Sequence, residues 1–389
     1  MSDELLRYRP EFPILERTTY MISNSLGAMP KGVYDSLKGY ADTWATRGVR
    51  AWEETWWMRN AEVGDEIGAL MNAPKGSVCT HQNVTSCQAI IASCFDFSDK
   101  RNKVVYSDLN FPSVMYFWEA QQKTGARVHM VKTDDGVHVP LERLLDAIDE
   151  QTMVVPISHV IFRSSFINDA KAIIEKAHRV GAHVVLDTFQ SLGSVPVDIQ
   201  ALNADFATGG VLKWLCGGPG VAYLYVRPDL GRKLEPRLTG WHAHQNPFAF
   251  EVGPIRYTEQ PYKFLNGTLN IPALEAARPG LRIMNEVGVE RIRAKSKRQT
   301  ARLIELANQH GWRVNTPRDP ERRGGTVSID MPDAPEVCRE LLKRDILVDY
   351  RPKAGVRFSP HFYNTDQEIE TAIGAVEEIL KERHAEAVR

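Results

Sequence analysis

The chain has 389 residues, 43% of them hydrophobic and 25% charged, with Lys+Arg 48 set against Asp+Glu 49. That balance provides enough apolar material for a sizeable core and lacks the basic excess that nucleic acids or anionic membranes recruit. The length sets a soft prior of about two or three domains.

Residues 1–30 read as an irregular N-terminal segment. A short apolar run around Tyr20 gives way to Ser23-Asn24-Ser25-Leu26-Gly27 and then Pro30. Its charged start lacks the apolar stretch of a secretory leader. No run of about 18 apolar residues offers a membrane span. Between 31 and 72, Val33, Leu37, Tyr40 and Trp44 recur at helical spacing. Trp52, Trp56 and Trp57 follow and are expected in a core or a subunit contact. From about residue 77 short β-branched runs alternate with helical stretches. Strands are predicted at 104–106, 128–131, 154–157, 184–186 and 221–226, and helices fall between them, such as 141–150 and 170–180. Such alternation implies an α/β fold whose mostly parallel sheet is covered by helices on both faces. One long helical segment is predicted over 275–310. A smaller α/β pattern then runs through a strand at 326–329, a helix at 334–344, strands at 346–348 and 356–359, and a closing helix at 367–381. The expected organisation is an N-terminal segment 1–30, a large domain 31–275 and a small C-terminal domain 276–389. Five cysteines (Cys79, Cys87, Cys94, Cys216, Cys338) form no CxxC pair and no Cys/His zinc spacing, so no metal is expected. They read as reduced thiols of a cytoplasmic protein.

The stretch 207–220 carries the chemistry. Lys213 sits between Gly209-Gly210 and Gly217-Gly218-Pro219-Gly220, beside Leu212, Trp214 and Leu215. Glycines let a backbone approach a ligand closely. Dry surroundings lower a lysine pKa, and a deprotonated amine condenses with an aldehyde. The competing reading is a surface lysine on a turn. Asp187 follows the run 184–186, where an unpaired carboxylate is costly. It reads as a helix N-cap or as the partner of a protonated ring nitrogen such as that of pyridoxal phosphate. It lies 26 residues before Lys213 with a strand-sized run between, which suits adjacent strands facing one crevice. Asn83-Val84-Thr85-Ser86 opens a helix and offers donors for a phosphate or a plain cap. Gly267-Thr268 is a second phosphate candidate. Phe111 provides a stacking face for a flat ring or belongs to the core.

Asp187 with Gln190, Lys213-Trp214-Leu215 and Gly217-Gly218-Pro219-Gly220 resemble pyridoxal-phosphate enzymes of fold type I, aminotransferase class V family. Within that family the resemblance is to the kynureninases. It extends along nearly the whole chain through Asn24-Ser25-Leu26-Gly27, Asn83-Val84-Thr85 and Phe111-Pro112-Ser113. Gly240-Trp241 with His244, Phe264 with Gly267-Thr268, and Val356-Arg357-Phe358 through Tyr363-Asn364 complete it. The resemblance implies a large domain with a seven-stranded type of sheet and a smaller C-terminal α/β domain. It implies a homodimer with the active site at the subunit interface and a small amino acid as substrate. Lys213 would be the cofactor lysine and proton shuttle, and Asp187 would pair with the ring nitrogen. Phe111 would stack on the ring, with Gln190 near its oxygen. Val84 and Thr85 would hold the phosphate, joined by Trp241 and Thr268 from the second subunit. Arg357 would bind the substrate carboxylate, a task suited to a forked guanidinium. Asn24, Ser25 and His244 would line the substrate site. Kynureninases carry a tyrosine where this chain has Leu212, an acidic residue where it has Val114, and a histidine near 48–52, where it has none. The implied reaction is hydrolytic Cβ–Cγ cleavage giving alanine and an aryl acid. The alternatives are a class V aminotransferase, epimerase or β-lyase, and a non-catalytic binding protein. A cysteine desulfurase needs a mobile nucleophilic thiol, and Cys338 falls in a predicted helix.

Overall fold

The computed structural model describes residues 3–387. Strand β1 (Thr19–Tyr20) belongs to the N-terminal segment and is followed by helices α1 (Gly32–Arg47) and α2 (Arg59–Ala69). Alternation then begins with β2 (Val78–His81), α3 (Val84–Ser93), β3 (Lys103–Ser107), α4 (Pro112–Ala120) and β4 (Arg127–Val131). It continues through α5 (Leu141–Ala147), β5 (Thr152–Ser158), α6 (Ala170–Arg179), β6 (His183–Asp187), α7 (Ile199–Leu202), β7 (Phe206–Gly210) and β8 (Ala222–Val226). Helices α8 (Pro228–Lys233), α9 (Ile271–Val287) and α10 (Val289–Gln309) lead to β9 (Arg313–Val314) and β10 (Val327–Asp330). The chain closes with α11 (Ala334–Lys343), β11 (Ile346–Leu347), β12 (Asp349–Arg351), β13 (Gly355–Phe358) and α12 (Asp366–Ala387).

The β-branched runs of the interior strands are buried on both faces, as in a covered parallel sheet, whereas the edge strand β4 is largely exposed. Seven strands build that sheet in the order β2-β8-β7-β6-β5-β3-β4. Strands β3 to β7 run parallel to one another, and β8 is antiparallel to both β2 and β7. The parallel strands therefore end on one rim, the place where open α/β sheets bind ligands.

The expected helix over 275–310 is two helices. Gly288, at φ +81, breaks it in a backbone region that a side chain disfavours. The expected domain limit near 275 falls inside α9, which packs on α1 and α2, while α10 packs on α12 and on β9 and β10. The C-terminal strands form a second, antiparallel sheet, β12-β13-β10-β9.

Residues 1–30 are more ordered than their composition suggests. Two 3-10 helices, Glu4–Glu11 and Pro13–Glu16, precede β1. Strand β1 pairs in parallel with β11, Thr19 opposite Ile346. Arg9 forms a bidentate pair with Glu368 at 2.9 and 3.0 Å and donates to the Tyr363 carbonyl at 2.9 Å. Buried Lys295 meets Asp3 at 2.8 Å. These contacts fasten the segment to β11, α10 and α12.

One buried carboxylate joins the large domain's elements. Asp205, 1% exposed, accepts from His178 Nε2 and the Val184 N–H, both at 2.9 Å, and pairs with Arg227 Nη1 at 3.0 Å. Burial by itself raises its pKa, but the hydrogen bonds from His178, His183 and the Val184 N–H outweigh it and hold the carboxyl well below its usual range. A depressed folded-state pKa contributes stability that is complete above the ordinary carboxylate value and is lost as pH falls towards the folded one. Replacing Asp205 with Asn should therefore lower stability at neutral pH by about 3 kcal/mol. In denaturant titrations the gap to wild type should narrow as pH drops below about 4.

Candidate active site

Strands β6 and β7 are adjacent and parallel, with Asp187 opposite Thr208. Asp187 ends β6, and the turn after β7 carries Lys213, so both face the same rim. Two glycines allow the close packing here. The Gly27 N–H donates to the Leu212 carbonyl at 2.8 Å, and a Cβ on Gly27 would stand 2.1 Å from the Lys213 carbonyl oxygen. The N-terminal segment can thus lie directly on the lysine turn. A Cβ on Gly210 would come within 2.5 Å of the Phe189 ring, so glycine leaves room for that ring against the strand end. The Trp214 Nε1–H donates to Gln190 Oε1, and Gln190 Nε2 donates to the Asn24 carbonyl, both at 2.9 Å. Gln190 is therefore locked between the turn and the N-terminal segment.

These elements enclose a pocket of about 260 Å³. It brings together Val84, Thr85, Phe111, Asp187, Gln190 and Lys213. The Lys213 Nζ stands 4.3 Å from the Phe189 ring centroid and 5.4 Å from that of Phe111. Loss of hydration pushes the Lys213 pKa down to about 8; Asp187 and Asp349 pull it up, and Arg357 and Arg351 push it down. Asp187 is 6% exposed, and its pKa is raised by burial. The Phe189 N–H at 2.9 Å, the Lys213 charge and the Ser158 hydroxyl offset part of that cost. Asp187 caps no helix among the described residues, and its buried carboxylate lines the pocket. At the opposite wall Asn83 caps α3 by accepting the Ser86 N–H at 2.9 Å, leaving Thr85 exposed at the helix start. Phe111 is 41% exposed and is not a core residue. The Asn24 side chain is 1% exposed, and neither its nitrogen nor its oxygen has a hydrogen-bond partner.

Arg357 on β13 is 2% exposed. Its Nε and Nη2 grip Asp349 at 2.7 and 2.5 Å, and Nη1 donates to the carbonyl of Phe162 at 2.7 Å. Phe162 lines the pocket, so the guanidinium lies behind its wall. Ser25 is half-buried next to Asn24. Trp241 and Thr268 lie elsewhere, in an open groove of about 760 Å³ with Arg50, Trp52 and Trp57. His244 accepts the Asn246 N–H at 3.0 Å, faces Glu251 at 3.7 Å and does not line the Lys213 pocket. Ser158, Phe162 and Phe189 escaped sequence reasoning. Ser158 was findable, because it ends β5 as Asp187 ends β6.

A buried carboxylate facing a desolvated lysine, a donor-rich helix start and an exposed phenyl ring suit the nitrogen, aldehyde, phosphate and face of pyridoxal phosphate. Asn24 and Ser25 are not among the residues lining that pocket; Asn24 meets it only through its carbonyl, which accepts from Gln190. The class defined is a pyridoxal-phosphate enzyme of fold type I. The model of the aminotransferase class-V family matches residues 19–371, and the chain belongs to that family. It is 28% identical to a kynureninase of Bacillus thuringiensis subsp. konkukian, across 98% of this chain and 92% of that one. It is 30% identical to an uncharacterized aminotransferase, YcbU, of Bacillus subtilis, across 95% and 96%. Among solved structures it is similar to a cysteine desulfurase from Thermococcus onnurineus NA1, with TM-score 0.86 and 23% identity over 98% and 99% of the two chains. The cystine C-S lyase C-DES gives TM-score 0.84 at 17% identity over 94% and 98%. These two likenesses concern the fold.

Borohydride trapping of pyridoxal phosphate by the apoprotein should reveal the state of the lysine. The trapping rate should rise with a midpoint near about 8, well below an ordinary lysine. It should shift to lower pH in Asp187→Asn, because that change removes a charge that favours the protonated amine.

Proposed function

We propose that this enzyme acts at the α-carbon of a free amino acid, and that its reaction is kynureninase-like hydrolytic cleavage of a Cβ–Cγ bond, giving alanine and an aryl acid. The observation that carries the reading is the desolvated Lys213 and the buried Asp187 lining one pocket at the sheet rim. Similarity to kynureninases along nearly the full chain supports the finer choice. When bound, pyridoxal phosphate supplies an electron sink for charge developing at Cα. Lys213, with a pKa of about 8, is close enough to neutrality to take and return a proton at Cα. Asp187 keeps the ring nitrogen protonated. Phe111 and Phe189 exclude water from around the lysine amine. Of a guanidinium's five N–H groups, Arg357 commits one each from Nε, Nη1 and Nη2 to its neighbours. Two remain, and the reading has a substrate carboxylate reach them past the Phe162 wall.

The reading includes a homodimer. Val49, Met58, Trp241 and Phe248 line the open groove at 82%, 52%, 41% and 62% exposed, and Phe250, 73% exposed, stacks on Trp241. An apolar surface of this kind marks an association site. Pairing two copies there would cover it and could carry Trp241 and Thr268 to the partner's phosphate site.

Transamination is the second reading, favoured by the similarity to YcbU and by Leu212. Desulfurase chemistry has no suitable thiol. Cys338 is 6% exposed within α11, and burial raises its pKa, as it does for Cys79, Cys94 and Cys216, each pushed to about 12.

Holoenzyme incubated with L-kynurenine should release anthranilate and alanine. Release of a keto acid without anthranilate would transfer the assignment to transamination. Lys213→Ala should abolish turnover while keeping the fold by circular dichroism. Arg357→Gln should raise KM roughly tenfold or more with a smaller change in kcat.

A further inference from the structure

The carboxylate grip on Arg357 has a consequence for which substrates the pocket accepts. Asp349 on β12 sits directly across from Arg357 on β13 in the antiparallel pair. Both side chains are nearly buried, at 11% and 3% exposed, and they meet through two charge-assisted bonds. The same Asp349 Oδ2 also reaches Arg351 Nη2 at 3.2 Å. Arg351 is 41% exposed, and its Nη1 donates to the Tyr350 carbonyl at 2.9 Å. The cluster touches the pocket through Phe162, a wall residue whose carbonyl accepts from Arg357 Nη1 at 2.7 Å. Two guanidinium groups and one carboxylate sum to a single positive charge. The side-on edge of Arg357 belongs to Asp349, and its third bond goes to the Phe162 carbonyl on the pocket wall. The orientation of its two uncommitted N–H groups is therefore set from behind.

We propose that Asp349 is a positioning residue of the substrate-carboxylate site. It holds Arg357 side-on and Arg351 by one nitrogen, so that the two arginines present one net positive charge, the complement of an amino acid bearing a single carboxylate at Cα. This rests on the reading that Arg357 receives that carboxylate. The competing role for Asp349 is a purely structural cross-strand ion pair, which would affect stability without regard to the substrate's charge.

The test is spectral titration of the holoenzyme, following cofactor absorbance, with L-alanine and with its uncharged-carboxyl analogue L-alaninamide. Asp349→Asn should weaken L-alanine about tenfold or more and leave L-alaninamide within about twofold. Asp349→Glu, which restores the charge one methylene further out, should recover part of the loss. Arg351→Gln should weaken L-alanine about threefold, the smaller effect of an exposed group. Equal weakening of both ligands by Asp349→Asn, or no weakening of either, would overturn the proposal and leave a structural pair. Arg357→Gln separates the two levels. If it weakens L-alanine selectively while Asp349→Asn does not, only the role of Asp349 falls. If it leaves L-alanine unchanged, the carboxylate assignment of Arg357 falls as well.

Discussion

Two opposite charges taken out of water at the ends of neighbouring parallel strands set the terms for this molecule. An unpaired ion costs several kcal/mol to bury. Lys213 and Asp187 accept that cost with only partial mutual relief, and both pKa values move towards neutrality. The surroundings keep the strain from relaxing. Trp214, Gln190 and Asn24 lock the turn, the Phe111 and Phe189 rings flank the amine, and Gly27 brings another strip of chain onto the lysine backbone. A polarised pair held this way is suited to a cofactor that brings a cationic ring nitrogen and an aldehyde.

The parts of this arrangement that could be read from sequence follow local rules. Alternating β-branched runs and helices imply a parallel sheet, and its carboxyl rim follows from strand direction. Asp187, Lys213, Thr85 and Phe111 all sit just after strands or at helix starts, so they converge in one pocket. Other features depend on pairings distant in sequence. Asp349 was invisible as a partner of Arg357, because their contact arises from the β12–β13 register. The break at Gly288 was hidden by apolar spacing that continues on either side of it. Trp241, Thr268 and His244 carried a family resemblance but no local geometry, and within one chain they lie outside the Lys213 pocket.

The same scaffold is found in proteins named as desulfurases and lyases, so the fold does not choose the reaction. The choice must come from groups around the rim. In this chain the cysteines are buried or half-buried thiols, the wall beside the lysine is phenyl-rich, and Leu212 gives the turn an aliphatic side chain. Among the described residues no thiol is both exposed and acidified.

The N-terminal segment is pinned at both ends to different bodies. Arg9 and β1 attach it to α12 and β11, the Ser359 N–H donates to the Met21 carbonyl at 2.7 Å, and a few residues later Gly27 rests on the turn of Lys213. Residues 19–27 are therefore a tie rod between the C-terminal strands and the turn of Lys213. Any displacement of those strands would pull on this rod and on the roof over the amine. Opening the cleft and loosening the lysine would then be one mechanical event.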